Sequence, residues 1–201
     1  MVMLHGAAYL TVKLEHGIVH DRARRYGTWA ALASMALFAL GGAYVAVGGL
    51  GFHITSVIDP GGASNPRRTV AAPWAGGWLA NYASHPWMTA APLLGVLGAA
   101  AALLGIRLRW KAAALAGSAA STAGIIATVG LSMFPFILPS TTDPHSSLTV
   151  WNASSSQSTL MLMLIVTVVF LPLVLLYTAW VYRMLWGRVT VAEVSSNPDF
   201  Y

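Results

Sequence analysis

Four stretches of this chain carry no charged residue over a length that would cross a lipid bilayer: Thr28–Gly51, Trp87–Ile106, Ala112–Ile137 and Thr159–Tyr182. The hydrocarbon layer is roughly 30 Å thick, so about 20 predominantly apolar helical residues suffice to span it. A helix is the form such a run must take, because an unsatisfied backbone group in hydrocarbon costs several kcal/mol and the runs lack the alternation of an outer-membrane barrel strand. Composition agrees: 57% of the 201 residues are hydrophobic and 8% are charged, against about 25% charged in a soluble domain. The expected fold is all-α, a multi-pass transmembrane helical bundle of four full spans, here A to D.

Chemistry is first bounded by what is missing from the sequence. With no cysteine, this chain forms no disulfide, thiolate-ligated metal site or iron–sulfur cluster. The calculated pI near 9.9 raises the possibility of nucleic acid, but the basic residues flank apolar runs instead of forming a face on a soluble module. No nucleic-acid partner is expected, and membrane lipids are.

The basic residues report topology. Lys13, Arg22, Arg24 and Arg25 precede span A, Arg107, Arg109 and Lys111 fill the B–C turn, and Arg183 and Arg188 follow span D, so nine of the eleven Lys and Arg fall on one side of a four-span arrangement. Positive charge accumulates on cytoplasmic loops, which puts both ends of the bundle in the cytoplasm of a bacterial inner membrane. The other two, Arg67 and Arg68, belong to the long A–B loop, residues 52–86, a periplasmic excursion with turn-forming Asp59-Pro60-Gly61-Gly62 and Asn65-Pro66. Trp74, Trp78, Tyr82 and Trp87 near its end suit an amphipathic segment at headgroup level. Residues 1–27 read as the cytoplasmic end of a preceding helix and a basic loop, residues 28–182 as the bundle, and residues 183–201 as a cytoplasmic tail. Met1–Leu10 is apolar but too short to span, and its n-region is too poor in charge for a signal peptide. It is expected to be the end of a helix begun elsewhere, in a fragment or the second part of a split gene.

Within the spans the features describe packing. Gly117, Ser121 and Gly124 share one face of span C, and Gly95 and Gly98 do the same in span B, letting backbones approach where packing drives association. Pro135 near the end of C and Pro172 inside D are expected to bend their helices. Catalytic, cofactor-binding and metal-ligating residues are all expected to be none. The spans contain no histidine and no carboxylate, lysine or arginine, so neither a haem ligand nor a proton path is marked. His5, His16 and His20 fall in the cytoplasmic approach, His53 and His85 bracket the A–B loop, and His145 lies in the C–D loop; all six read as solvated loop residues or cap partners. Met133, Met161 and Met163 read as flexible filling, and Ser118, Ser121, Thr122, Thr128 and Thr167 as polar glue.

One string is more specific: Met133-Phe134-Pro135-Phe136-Ile137-Leu138-Pro139-Ser140-Thr141-Thr142, then Ser147-Leu148-Thr149-Val150-Trp151-Asn152-Ala153-Ser154-Ser155-Ser156-Gln157-Ser158-Thr159-Leu160. It resembles the C-terminal signature of cytochrome bd-type quinol oxidase subunit II. The likeness extends to Gly6-Ala7-Ala8-Tyr9-Leu10, Pro172, Tyr177-Thr178-Ala179-Trp180 and Gly187-Arg188-Val189-Thr190, and so covers essentially the whole chain as the C-terminal half of that subunit. Physically the string is the end of one span and the start of the next, with Pro135 and Pro139 terminating span C at the periplasmic face, Trp151 as an interface anchor and Ser154 to Ser158 offering oxygens to the free amides of span D. The family pattern favours an aspartate after the tryptophan; Asn152 stands here, which keeps a helix-capping side chain and loses a carboxylate.

The resemblance implies a complex that oxidises quinol and reduces dioxygen to water while generating a proton gradient. Haem b and haem d and the quinol site would belong to the partner, subunit I, and none would be bound by this chain alone, although a structural quinone or lipid could occupy its grooves. The other partner implied is the N-terminal bundle of subunit II, which holds that subunit's functionally discussed acidic and tryptophan residues. A multi-pass permease or transporter component would also show four spans, but transporters place polar or broken helices at mid-membrane, and Pro172 is the one candidate break. A stand-alone cytochrome b is disfavoured by spans without histidine.

Overall fold

The computed structural model describes residues 1–57, 65, 70–74 and 76–184. Asp59-Pro60-Gly61-Gly62, Pro66, Arg67, Arg68, Arg188 and the tail beyond Met184 lie outside the described residues. Six α-helices are seen: α1 (Val2–Lys13), α2 (Ile18–Gly48), α3 (Ala80–Ser84), α4 (Ala90–Leu108), α5 (Lys111–Met133) and α6 (Gln157–Met184). Four segments are long and apolar enough to cross a membrane, namely Ile18–Gly48, Pro86–Leu108, Lys111–Met133 and Gln157–Met184, which are spans A to D. The chain divides into two compact units, Met1–Leu50 with Gly76–Ser132 and Gly51–Ala75 with Met133–Gly187.

In the first unit α1, α2, α4 and α5 pack through small side chains. The buried apolar cluster is Leu4 and Ala8 of α1, Ala31 of α2, Ala99, Ala102 and Ile106 of α4, and Ala114 of α5. The expected glycine faces meet each other. A Cβ on Gly117 would stand 2.6 Å from the Ala102 nitrogen and 2.8 Å from the Gly98 oxygen, and one on Gly124 would strike the Gly95 backbone. Helices α4 and α5 therefore touch backbone to backbone, the arrangement that dispersion rewards when lipid removes the hydrophobic drive. At the crossing of α2 with its neighbours, Gly27 has the same role, with Ala7 of α1 and Ile106 of α4 each 3.0 Å from where its Cβ would be.

Span A begins ten residues earlier than expected. Its 31 residues extend for roughly 46 Å at the helical rise, more than the hydrocarbon thickness, so the segment carrying His20, Asp21, Arg22, Arg24 and Arg25 is helical and not a loop. Charge ends the apolar run without ending the helix, because arginine and alanine are good helix formers. At its other end Gly49 takes the left-handed conformation (φ 55°) and its N–H returns to the Val45 oxygen, the usual glycine stop.

Span C ends four residues early. Phe134 precedes Pro135, and the proline ring disfavours helical angles in the residue before it; the chain leaves the helix at Met133. Pro135 therefore terminates the span and does not bend it. Pro172 does lie inside α6.

The second unit holds α6 and two short antiparallel ribbons that the sequence reading did not anticipate. Strand β1 (Phe52–Ile54) pairs with β2 (Ala71–Pro73), with His53 opposite Ala72. Strand β3 (Phe136–Leu138) pairs with β4 (Leu148–Thr149), with Phe136 opposite Thr149. The Phe52 and Phe136 rings meet edge to face at 6.2 Å, and the Ala71 N–H donates to His145 Nδ1 at 3.3 Å, tying the two ribbons together. Helix α6 is apolar on every side and contains no buried residue.

A paired substitution tests the backbone contact. Gly117→Ala should destabilise the protein in mild detergent by about 1–3 kcal/mol through overpacking. Gly130→Ala, where a Cβ has nothing within 4 Å, should be neutral or stabilising by up to about 1 kcal/mol from helix propensity. Thermal or denaturant unfolding of the two variants is the measurement; equal losses would show that the α4–α5 approach is not the constraint.

Candidate functional site: the tied helix ends and the polar residues of the bundle

The C-terminal carbonyls of a helix have no partner within that helix. Those of α4 and α5 are met by side chains from other segments. Arg24 of α2 donates from Nε to the Ile106 oxygen (3.2 Å) and from Nη2 to the Arg107 oxygen (3.3 Å), a cation at the negative end of the α4 dipole. At the far end of the α4–α5 hairpin, Asn81 of α3 donates through Nδ2 to the oxygens of Leu131 (3.2 Å) and Ser132 (2.9 Å). The Tyr82 hydroxyl adds a 2.6 Å bond to Ser132 Oγ. The aromatic segment expected at headgroup level is built of short turns around α3. Trp78 and Trp87 lie in 3-10 turns, Gly77–Leu79 and Pro86–Thr89, on either side of α3, and the segment fastens the end of α5.

Several residues read as solvated have definite partners. Helix α1 includes His5, and its Nδ1 lies 2.9 Å from Ser118 Oγ of α5. Ser118 Oγ also lies 2.8 Å from the Leu115 oxygen of its own helix. His20 is buried within α2 (3% exposed), with the His16 ring edge-on at 4.7 Å and an Asp21 carboxylate oxygen 3.5 Å from Nδ1. In the second unit His53 packs against Trp74 at 5.6 Å. Thr122 and Thr128 bond back to Ser118 and Gly124 oxygens of their own helix, as polar glue should.

Asn152 is 4% exposed and does not sit at the start of α6. Its Oδ1 accepts from the Thr149 N–H at 2.7 Å, and its Nδ2 donates to the Ser147 oxygen at 3.4 Å. It closes the turn after β4, which corrects the expectation of a helix-capping role. Ser156, immediately before α6, engages the hydroxyls of Thr159 (2.9 Å) and Ser158 (3.2 Å).

A haem needs axial donors that converge on one cavity between helices. Met133 ends α5, whereas Met161 and Met163 lie exposed on α6. Of the histidines in the first unit, His5 is bonded to Ser118 and the buried His20 lies against His16 and Asp21. Among the described residues no three His, Cys, Asp or Glu side chains form a metal-binding group.

With this geometry in place, comparison decides the family. The model of the cytochrome bd terminal oxidase subunit II family matches residues 1–185. This chain belongs to that family. Cytochrome bd-I ubiquinol oxidase subunit 2 of Escherichia coli K12 is 40% identical over 197 residues, covering 98% of this chain and 52% of that protein. Probable cytochrome oxidase subunit 2 of Haemophilus influenzae is 34% identical over the same length, with the same coverage. The chain spans about half the length of the curated relatives it matches. With four apolar spans and this membership, it is a multi-pass membrane protein of a respiratory-oxidase subunit family.

Asn81→Ala would leave the Leu131 and Ser132 carbonyls without this donor. The expected loss is about 1–3 kcal/mol, read as a lower unfolding midpoint in detergent, with Asn81→Gln recovering less than half because its amide sits one methylene too far. A midpoint unchanged in Asn81→Ala would mean that water or lipid serves those carbonyls equally well.

Proposed function

We propose that this chain is a non-haem part of subunit II in a cytochrome bd-type quinol oxidase. In that role it braces a haem-bearing subunit I, which oxidises quinol and reduces dioxygen to water. Quinol protons released on the outer side and substrate protons drawn from the cytoplasm would make the reaction generate a proton gradient. The observation that carries the reading is the family match over residues 1–185. The tied helix ends and the backbone contacts of α4 and α5 support a bracing role, since they build a stiff support out of small residues with few polar groups left over.

In this reading haem b and haem d belong to the partner subunit, and no side chain of this chain is catalytic. Its other partner is the remaining bundle of subunit II. The basic residues Lys13, Arg22, Arg24, Arg25, Arg107, Arg109 and Lys111 face the cytoplasm, and both ends of the four-span region lie on that side. Residues 1–27, the spanning region 28–182 with its periplasmic loop 52–86, and the tail 183–201 are the corresponding segments.

Co-purification tests the assignment. A tag on this chain in its native host should bring down, in mild detergent, a larger partner with haem b and d absorption bands and quinol-dependent oxygen uptake. A colourless preparation without a haem-bearing partner would overturn it.

A further inference from the structure

One end of the first unit gathers positive charge around a cleft. The C-terminal end of α1, the N-terminal turn of α2 and the hairpin turn between α4 and α5 meet there around a shallow opening to the surface. Its polar lining is Thr11, His16, His20, Arg24, Arg109 and Lys111, over a floor of Gly105 and Ile106. Three of those side chains carry fixed positive charge. Thr11 contributes no donor, because its hydroxyl is spent on the Ala8 oxygen at 2.7 Å. The carboxylate beside the cleft is Asp21, in contact with His20, with a side chain 72% exposed; Glu15 lies in the α1–α2 turn.

The backbone adds to the positive field. His20 is in the first turn of α2 and Lys111 is the first residue of α5, so the positive ends of two long helix dipoles lie at the cleft. The negative end of α4 lies there too and is capped by Arg24. Arg109 holds its position at a cost: at φ 62° it occupies the left-handed region with its N–H returned to the Gly105 oxygen, a position that glycine fills without strain.

We infer that this cleft binds the phosphate of an anionic phospholipid, with the Arg109 guanidinium as its principal donor and Arg24 contributing its charge and the edge of its guanidinium not used on the α4 carbonyls. A planar guanidinium matches phosphate oxygens through paired N–H groups. Basic pockets between spanning helices at the membrane boundary suit anionic headgroups. The surroundings favour a lipid over a free phosphate ion. Leu108 and Trp110, on either side of Arg109 in the chain, are 54% and 65% exposed, and Ile18 at the start of α2 is 74% exposed. Such apolar residues next to a phosphate site suit acyl chains, and tryptophan favours the headgroup boundary. The site depends on the chain being embedded in a membrane and not on the identity of its redox partner.

The test uses the full chain in the membrane complex with which it is extracted, stripped of lipid in neutral detergent and titrated with phosphatidylglycerol, phosphatidylcholine or inorganic phosphate, with native mass spectrometry as readout. Phosphatidylglycerol should bind in preference to phosphatidylcholine. Arg109→Gly, which removes the charge where the backbone suits glycine, and Arg24→Gln should each weaken that binding roughly five-fold. Arg107→Gln removes a charge from the same turn without touching the cleft lining, and should leave binding unchanged. Undiminished phosphatidylglycerol binding in Arg109→Gly would overturn the inference, as would an equal loss in Arg107→Gln, which would mark a diffuse basic surface. Binding of inorganic phosphate without the lipid would overturn the lipid assignment.

Discussion

In hydrocarbon every backbone N–H and C=O must find its partner within the protein, and this structure is organised around the places where a helix cannot supply one. Interior turns satisfy themselves. The last carbonyls of a helix do not, and in the first unit both ends of the α4–α5 hairpin are served by side chains from elsewhere, Arg24 at one end and Asn81 at the other. These two residues fix where α2 and α3 sit relative to the hairpin. Once those helices are in place, the glycine and alanine surfaces between them can close.

That closure uses little polar chemistry. A Cβ at Gly98, Gly117 or Gly124 would run into the opposite helix backbone, so the contact is made by main chain and by van der Waals attraction summed over many atoms. Ser118 and Ser121, both fully buried, are small enough to fit the same seam, and Ser118 also anchors α1 through His5.

The spans were legible because hydrophobic length is read directly from residue type, and the seam was legible because glycine spacing repeats at the helical period. What stayed hidden depends on contacts between residues distant in the chain. Arg24 was readable as one positive charge before a span, yet its two carbonyl acceptors lie 82 and 83 residues away. Asn81 stood among aromatics with no local sign that it would cap α5. His20 and the start of α2 were misplaced because charge was taken as the end of the helix, when it only marks where the helix leaves hydrocarbon. The ribbons were missed because three-residue strands are too short for alternation to register, and the boundary of span C ran four residues too far because hydrophobic length alone carries it past Pro135, the residue that marks its end.

Asn152 shows how a motif can be right as a string and wrong as a mechanism. Its place after Trp151 suggested a cap for the following helix, but the helix begins at Gln157, and the side chain instead holds the turn that follows β4. An aspartate there would keep the acceptor for the Thr149 N–H. It would set an oxygen opposite the Ser147 carbonyl, where the amide now donates, and burying that carboxylate would carry a desolvation cost. Asparagine supplies both an acceptor and a donor to this site, so it satisfies the loop backbone without burying a charge.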